Sequence, residues 1–166
     1  MRDMTDSLFD PNLTDVLARQ RTVDHIVETL QALPDGWIVG FQRPGRPARS
    51  AGSGAVGPNG TWNFYIGYWV WGYGDMTGDE VFDAFMSVWS AWGWIDSIPS
   101  DNPRKRSAHG HTPDGYRFDI RRGIHGGVGM TWMSPYFPAP ESPYDSVMPS
   151  IITKDGPQSY EQPQRD

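Results

Sequence analysis

Few side chains in this sequence are typed and spaced for chemistry. His109-Gly110-His111 would put two imidazoles on one side of an extended chain, with Asp114 nearby and His125 at the next turn. Three histidines and a carboxylate could hold zinc or a similar ion. The flanking Ser107, Gly110 and Pro113 read instead as a mobile loop. No metal or other cofactor is therefore expected, and a small-ligand or metal-dependent enzyme using His109, His111 and His125 is the alternative. Gly52-Ser53-Gly54-Ala55-Val56-Gly57 matches G-x-G-x-x-G to the letter. A dinucleotide site needs a strand before that motif and a helix after it, because the helix N-terminus holds the pyrophosphate. Here Arg46-Pro47-Ala48-Arg49 precedes and Pro58-Asn59-Gly60 follows, so the segment reads as a flexible loop. Arg43, Arg46 and Arg49 beside it remain able to grip an anion or a partner.

Arg104-Lys105-Arg106, with Arg117, Arg121 and Arg122, supplies cations for phosphate, and a neighbouring aromatic strand supplies rings for base stacking. A sequence pI near 5.1 weighs against nucleic acid, which stays a second alternative. Asp79, Glu80 and Asp83 fall in the first turns of a helix, where they complement its dipole without any catalytic role. Gly-x-Ser-x-Gly, His-Glu-x-x-His and P-loop motifs are all missing. No catalytic residue is assigned.

The elements that must position these groups come in two similar passes. A helical stretch over residues 10–33 leads through Gly36-Trp37 to a strand, a Gly/Pro-rich loop and an aromatic strand at 61–73. A second helix over 78–92 leads through Gly93-Trp94 to a strand, a polar loop, and strands at 116–121 and 128–133. Asp10-Pro11 reads as N-cap and first helical residue. Leu13, Val16, Leu17, Val23, Ile26, Val27, Leu30 and Leu33 then recur at helical spacing, and Pro34-Asp35-Gly36 ends the run. Thr77-Gly78-Asp79-Glu80 is a capping box, and the buried stripe behind it is Val81, Phe82, Phe85, Val88, Trp89 and Trp92.

In the aromatic strand, Trp62, Phe64, Ile66, Tyr68 and Val70 share one side, and Tyr65, Trp69 and Trp71 the other. Arg117, Asp119 and Arg121 alternate with Tyr116, Phe118 and Ile120, the signature of a strand with one wet face. Residues 123–127 then read as a hairpin turn. From Ser134 the chain is Pro-rich and without periodicity, an arm over residues 139–166 attached to a domain over 1–138. Packing of this segment is expected through Tyr136, Phe137, Tyr144, Ile151 and Ile152.

Eight Trp, seven Tyr and seven Phe in 166 residues predict an aromatic core. Without Cys there is no disulfide framework and no thiolate ligand or nucleophile. The longest apolar run, residues 64–71, is too short to span a bilayer. The acidic start, Met1-Arg2-Asp3-Met4-Thr5-Asp6, has no apolar signal region, so a cytoplasmic protein, or part of an assembly made in the cytoplasm, is expected. Twelve Arg against two Lys point to a high-GC genome, actinobacterial or actinophage. The net charge of −6 is segregated: residues 1–35 carry seven acids and three bases, and residues 75–101 six acids and no base. Residues 36–74 carry three bases and no acid, and residues 102–122 six bases and two acids. Helices on one face would make an acidic back and a basic front.

The order of these pieces resembles the small mycobacterial lipoprotein domain of the LppA type. The shared pieces are a long first helix ending in Leu33-Pro34, an aromatic strand leading through Thr77 into a second helix, and the closing run Gly115-Tyr116-Arg117-Phe118. The likeness spans roughly residues 12–140 and implies an α+β fold without a known activity. That family's last strand ends near a Cys, where this chain has Ser134-Pro135-Tyr136, so any disulfide of the family is missing, as are the lipobox and signal. No functional residue carries over.

The expected architecture is thus α+β: a two-layer sandwich of pseudo-repeated helix–strand–strand halves. Its antiparallel sheet would have five or six strands, with two helices on one face. The expected function is a non-catalytic protein-interaction or assembly component, bound to a protein partner or a second copy of itself. Tyr65, Trp69 and Trp71, the Arg43, Arg46 and Arg49 loop, and Tyr136 and Phe137 form the expected contact surface.

Overall fold

A computed structural model describes residues 9–41, 53–141 and 148–158. Helix α1 spans Asp15–Gln31 and helix α2 spans Gly78–Ala91. The strands are β1 (Ile38–Gly40), β2 (Ser53–Val56), β3 (Thr61–Trp71), β4 (Ile95–Asn102), β5 (Lys105–His111), β6 (Arg117–Arg122), β7 (Val128–Met133), β8 (Phe137–Pro138), β9 (Ile151–Thr153) and β10 (Gly156–Gln158). They form one antiparallel sheet in the order β10-β9-β1-β3-β7-β6-β5-β4, with β2 and β8 also paired to β3. The fold is α+β, with two helices among the described residues and a ten-stranded sheet rather than one of five or six strands.

The extra strands come from segments without apolar alternation. The polar stretch after α2 is a hairpin, β4 with β5, and carries register shifts along β4. The Pro-rich C-terminal stretch adds β9 beside β1, where Ile152 and the preceding Met148 are buried in the core. Residues 53–56 of the glycine motif are strand β2, followed by a single 3-10 turn, Pro58–Gly60, and not by a phosphate-binding helix. That strand corrects the flexible-loop expectation there.

Helix α1 starts later than Asp10-Pro11 suggests. Asp10 Oδ1 accepts the Asn12 amide at 2.9 Å in a local turn, and Thr14 caps the helix through the Leu17 amide at 3.2 Å. Val16, part of the expected stripe, is therefore exposed, while Thr22 and Thr29 are buried. Helix α2 carries both halves of the capping box: Thr77 Oγ1 accepts from the Glu80 amide and Glu80 Oε1 from the Thr77 amide.

Both helices meet the same row of sheet side chains. Ile66, Trp132 and Phe118 are cross-strand neighbours on β3, β7 and β6. Trp89 of α2 lies 4.3 Å from Phe118 and 6.2 Å from Trp132 by ring centroids, and His25 of α1 stacks on Trp132 at 6.0 Å. The two post-helix tryptophans cross over. Trp37, after α1, packs on Phe85 of α2, and Trp94, after α2, meets His25 of α1. In both places a glycine with positive φ, Gly36 or Gly93, turns the chain out of the helical region first. The buried cluster is rich in aromatic rings.

Tyr136 and Phe137 are engaged within the chain. Phe137 is fully buried beside Trp62, so it belongs to the core and cannot serve as an exposed partner anchor. The Tyr136 carbonyl accepts the Asp10 amide at 2.8 Å, and its ring closes over Gly57. No helix among the described residues is long and apolar enough to cross a membrane.

Candidate functional site

The helices cover one face of the sheet, and the site is built on the other. Period-two alternation along β3 buries Phe64, Ile66, Tyr68 and Val70 and turns Tyr65, Trp69 and Trp71 outward. Trp69 is 49% exposed and Tyr65 36%; Trp71 is partly buried, its indole nitrogen shielded and without a hydrogen-bond acceptor among the described residues.

What lies beside Trp69 is decided by register. Its direct neighbours are Gly40 on β1 and Gly129 on β7, so neither flank has a side chain to hold the ring upright. The indole lies down: a Cβ at Gly129 would sit 3.2 Å from Trp69 Cε3, and one at Gly127 3.5 Å from Trp69 Cζ3. Arg121 on β6 comes next in that row, opposite Gly129. A second row runs Tyr65, Met133, Arg117, His111, and a third Gly67, Thr131, Asp119, His109. The face is thus aromatic over β3 and basic over β5 and β6.

Between the two halves opens a cavity of about 540 Å³ whose lining includes Trp69, Gly67, Lys105, Arg121 and Ile124. Its far wall is the turn joining β6 to β7, where the Gly123 amide donates to the Gly127 carbonyl at 2.9 Å. Helix α2 fixes that wall. A Cβ on Gly78 would fall 2.0 Å from the Gly126 carbonyl oxygen, so only glycine allows the helix start so close to the turn. Arg122, 6% exposed at its side chain, reaches Asp79 Oδ1 from Nε at 3.1 Å and the Pro103 carbonyl from Nη2 at 2.9 Å.

Not all the basic residues of 104–122 face outward. Arg106 lies over the Phe82 ring and donates to Asp83 at 2.7 Å, Asp101 at 2.9 Å and Asp79 at 3.2 Å. Partial burial disfavours its charge, but the carboxylates of Asp83, Asp79 and Asp101 outweigh this and hold the guanidinium more firmly protonated. Arg106 and Arg122 thus neutralise acids of α2, while Lys105, Arg117 and Arg121 remain for the open face. Arg43, Arg46 and Arg49 lie outside the described residues.

His109 and His111 stand in strand β5, not in a loop, because Gly110 packs inward: a Cβ there would meet the Trp94 carbonyl oxygen at 2.3 Å and Phe118 Cζ at 2.5 Å. Their imidazoles share the open face, and His111 Nδ1 is 2.7 Å from Asp96 Oδ2. His125 sits at the opposite end of β6 from His111, and Asp114 turns to the helix side, 2.9 Å from His25 Nε2. Among the described residues no three or more His, Asp or Glu gather as a metal site.

Sequence reasoning missed His25. It sits among Trp94, Tyr116 and Trp132, held by Asp114, whose other partner is the Thr112 hydroxyl at 2.5 Å. Its place between Thr22 and Thr29 on the buried side of α1 was the available signal, obscured by the polar residues there. The ring and its carboxylate pin the β5–β6 turn to α1, a structural role.

Comparison with known protein families, curated proteins and solved structures found no match.

Proposed function

We propose that this two-layer α+β chain is a non-catalytic interaction component that binds an acidic segment of a protein partner on the open face of its sheet. The observation that carries the reading is the row Trp69–Gly129–Arg121, a half-exposed indole beside an exposed guanidinium on a face that neither helix of the described residues covers. Trp, Tyr and Arg are the residues most often found to anchor interfaces, and an aromatic strip rimmed by cations suits carboxylates flanking an apolar side chain. Tyr65, Met133 and Arg117 extend the same chemistry one row along.

Nucleic acid is the less favoured reading, because Arg106 and Arg122 spend their charge on Asp79, Asp83 and Asp101. Selection of random peptides displayed on phage against the immobilised full chain tests the proposal. Enrichment of Asp/Glu-rich sequences with an aromatic or aliphatic residue, lost on Trp69→Ala and Arg121→Gln, is the expected result. Peptides without acidic bias, or held equally by both variants, would overturn it.

A further inference from the structure

We infer that the cavity beside Trp69 is a binding site for a small planar aromatic anion, a ring system carrying one phosphate or carboxylate. This goes beyond the protein-partner reading, since the cavity is complete within one chain and needs no second macromolecule.

Three features argue for it independently. The first is the ring surface. One side of the Trp69 indole is taken up by the backbone of Gly127 and Gly129, and the residue is still 49% exposed, so the other side is presented outward on a rigid seat. A flat π surface held in place favours stacking of a second ring at little entropic cost.

The second is the floor. Gly67 is exposed, next to Trp69 on β3, with no positive φ. A Cβ there would meet only the Met130 carbonyl oxygen at 3.7 Å and Thr131 Oγ1 at 3.9 Å, ordinary contacts. Neither backbone geometry nor packing demands glycine, and glycine weakens a strand. What its missing side chain does is keep the cavity open. Gly78 and Gly129 are different, because there a Cβ would crowd a neighbour.

The third is charge. Lys105 and Arg121 line the cavity, and Arg121 is 57% exposed, its Nε 3.7 Å from Asp119 Oδ1 and so too far for a hydrogen bond. Arg122 contributes no free charge here, its guanidinium being engaged by Asp79 and the Pro103 carbonyl. Ile124, 70% exposed, offers an apolar flap at the rim. At about 540 Å³ the cavity falls within the size range of small-molecule sites and would take one fused ring with one anionic group.

Titration calorimetry of the full chain with AMP, indole-3-acetate, adenosine and inorganic phosphate tests this. AMP or indole-3-acetate should bind, with adenosine and phosphate each about tenfold or more weaker, since each lacks half of the recognised chemistry. Preference between the two anions tells phosphate from carboxylate. Arg121→Gln should weaken the anions by about tenfold and leave adenosine unchanged. Gly67→Val should intrude on the floor beside Trp69 and weaken both anions by about tenfold without lowering the melting temperature. Failure of both anions to bind at millimolar concentration, or undiminished binding by Gly67→Val, would overturn the inference. Neither result bears on the peptide selection, so the two proposals fail separately.

Discussion

The indole nitrogen of Trp89 donates to the hydroxyl of Thr29 at 3.1 Å, joining α2 to α1 inside the core. Thr29 in turn donates to the His25 carbonyl at 2.9 Å, so one hydroxyl serves both helices. Thr29→Val keeps the shape and removes the acceptor, leaving a buried N–H unpaired. The expected loss of stability is about 1–3 kcal/mol, read by urea denaturation. An unchanged midpoint would mean that the hydrogen bond contributes nothing to helix docking.

Asp79 holds two arginines through one oxygen, Arg106 at 3.2 Å and Arg122 at 3.1 Å. Asp79→Ala leaves the nearly buried Arg122 with backbone carbonyls only, and should cost about 1.5–3 kcal/mol. Asp101→Ala removes a partner of Arg106 that is 72% exposed, and should cost below about 1 kcal/mol. Equal effects in paired melts would contradict the ranking by burial.

Burial pushes the Tyr68 hydroxyl well above its usual 10.0, and desolvation, only partly opposed by the Arg21 charge, does the same for Tyr116. A phenol made less acidic by folding contributes stability that is complete below pH 10 and lost as the pH rises further, because the unfolded chain ionises first. Each phenol should steepen alkaline destabilisation by about 1.4 kcal/mol per pH unit. Tyr68→Phe should flatten that slope while losing the hydrogen bond to the Pro149 carbonyl. Stability measured by denaturant from about pH 9 to pH 11 checks this, and a flat profile in the wild type would refute it.

Gly67 and Gly78 should respond oppositely to one methyl group. Gly67→Ala meets only ordinary contacts and should stabilise by about 0.5–1 kcal/mol. Gly78→Ala drives a Cβ against the Gly126 carbonyl and should destabilise by about 1–3 kcal/mol, despite alanine's better helix propensity. Thermal melts of the two variants decide it.

The sequence alone determined what depends on neighbours in the chain. The capping box at Thr77 and Glu80, the α2 stripe, the two faces of β3, and the turn around Gly126 follow from local hydrogen bonding and from periods of 3.6 and two residues. Local rules failed where a distant partner outweighed them. Residues 151–153 are β-branched but isolated in a Pro-rich stretch, and what makes them a strand of this sheet is the edge that β1 offers. His109 and His111 look like loop residues until Gly110 is seen to pack between Trp94 and Phe118. Phe137 reads as a tail anchor and is core, because β8 pairs with Thr61 and Trp62. The site shows the same division. That Tyr65, Trp69 and Trp71 share a face was legible from alternation. That Trp69 lies flat between Gly40 and Gly129, with Arg121 one strand further, was decided by register, which places residues 29, 60 and 52 positions from Trp69 in one row. Such pairings are set by the burial of the whole opposite face, and no local stretch of chain encodes them.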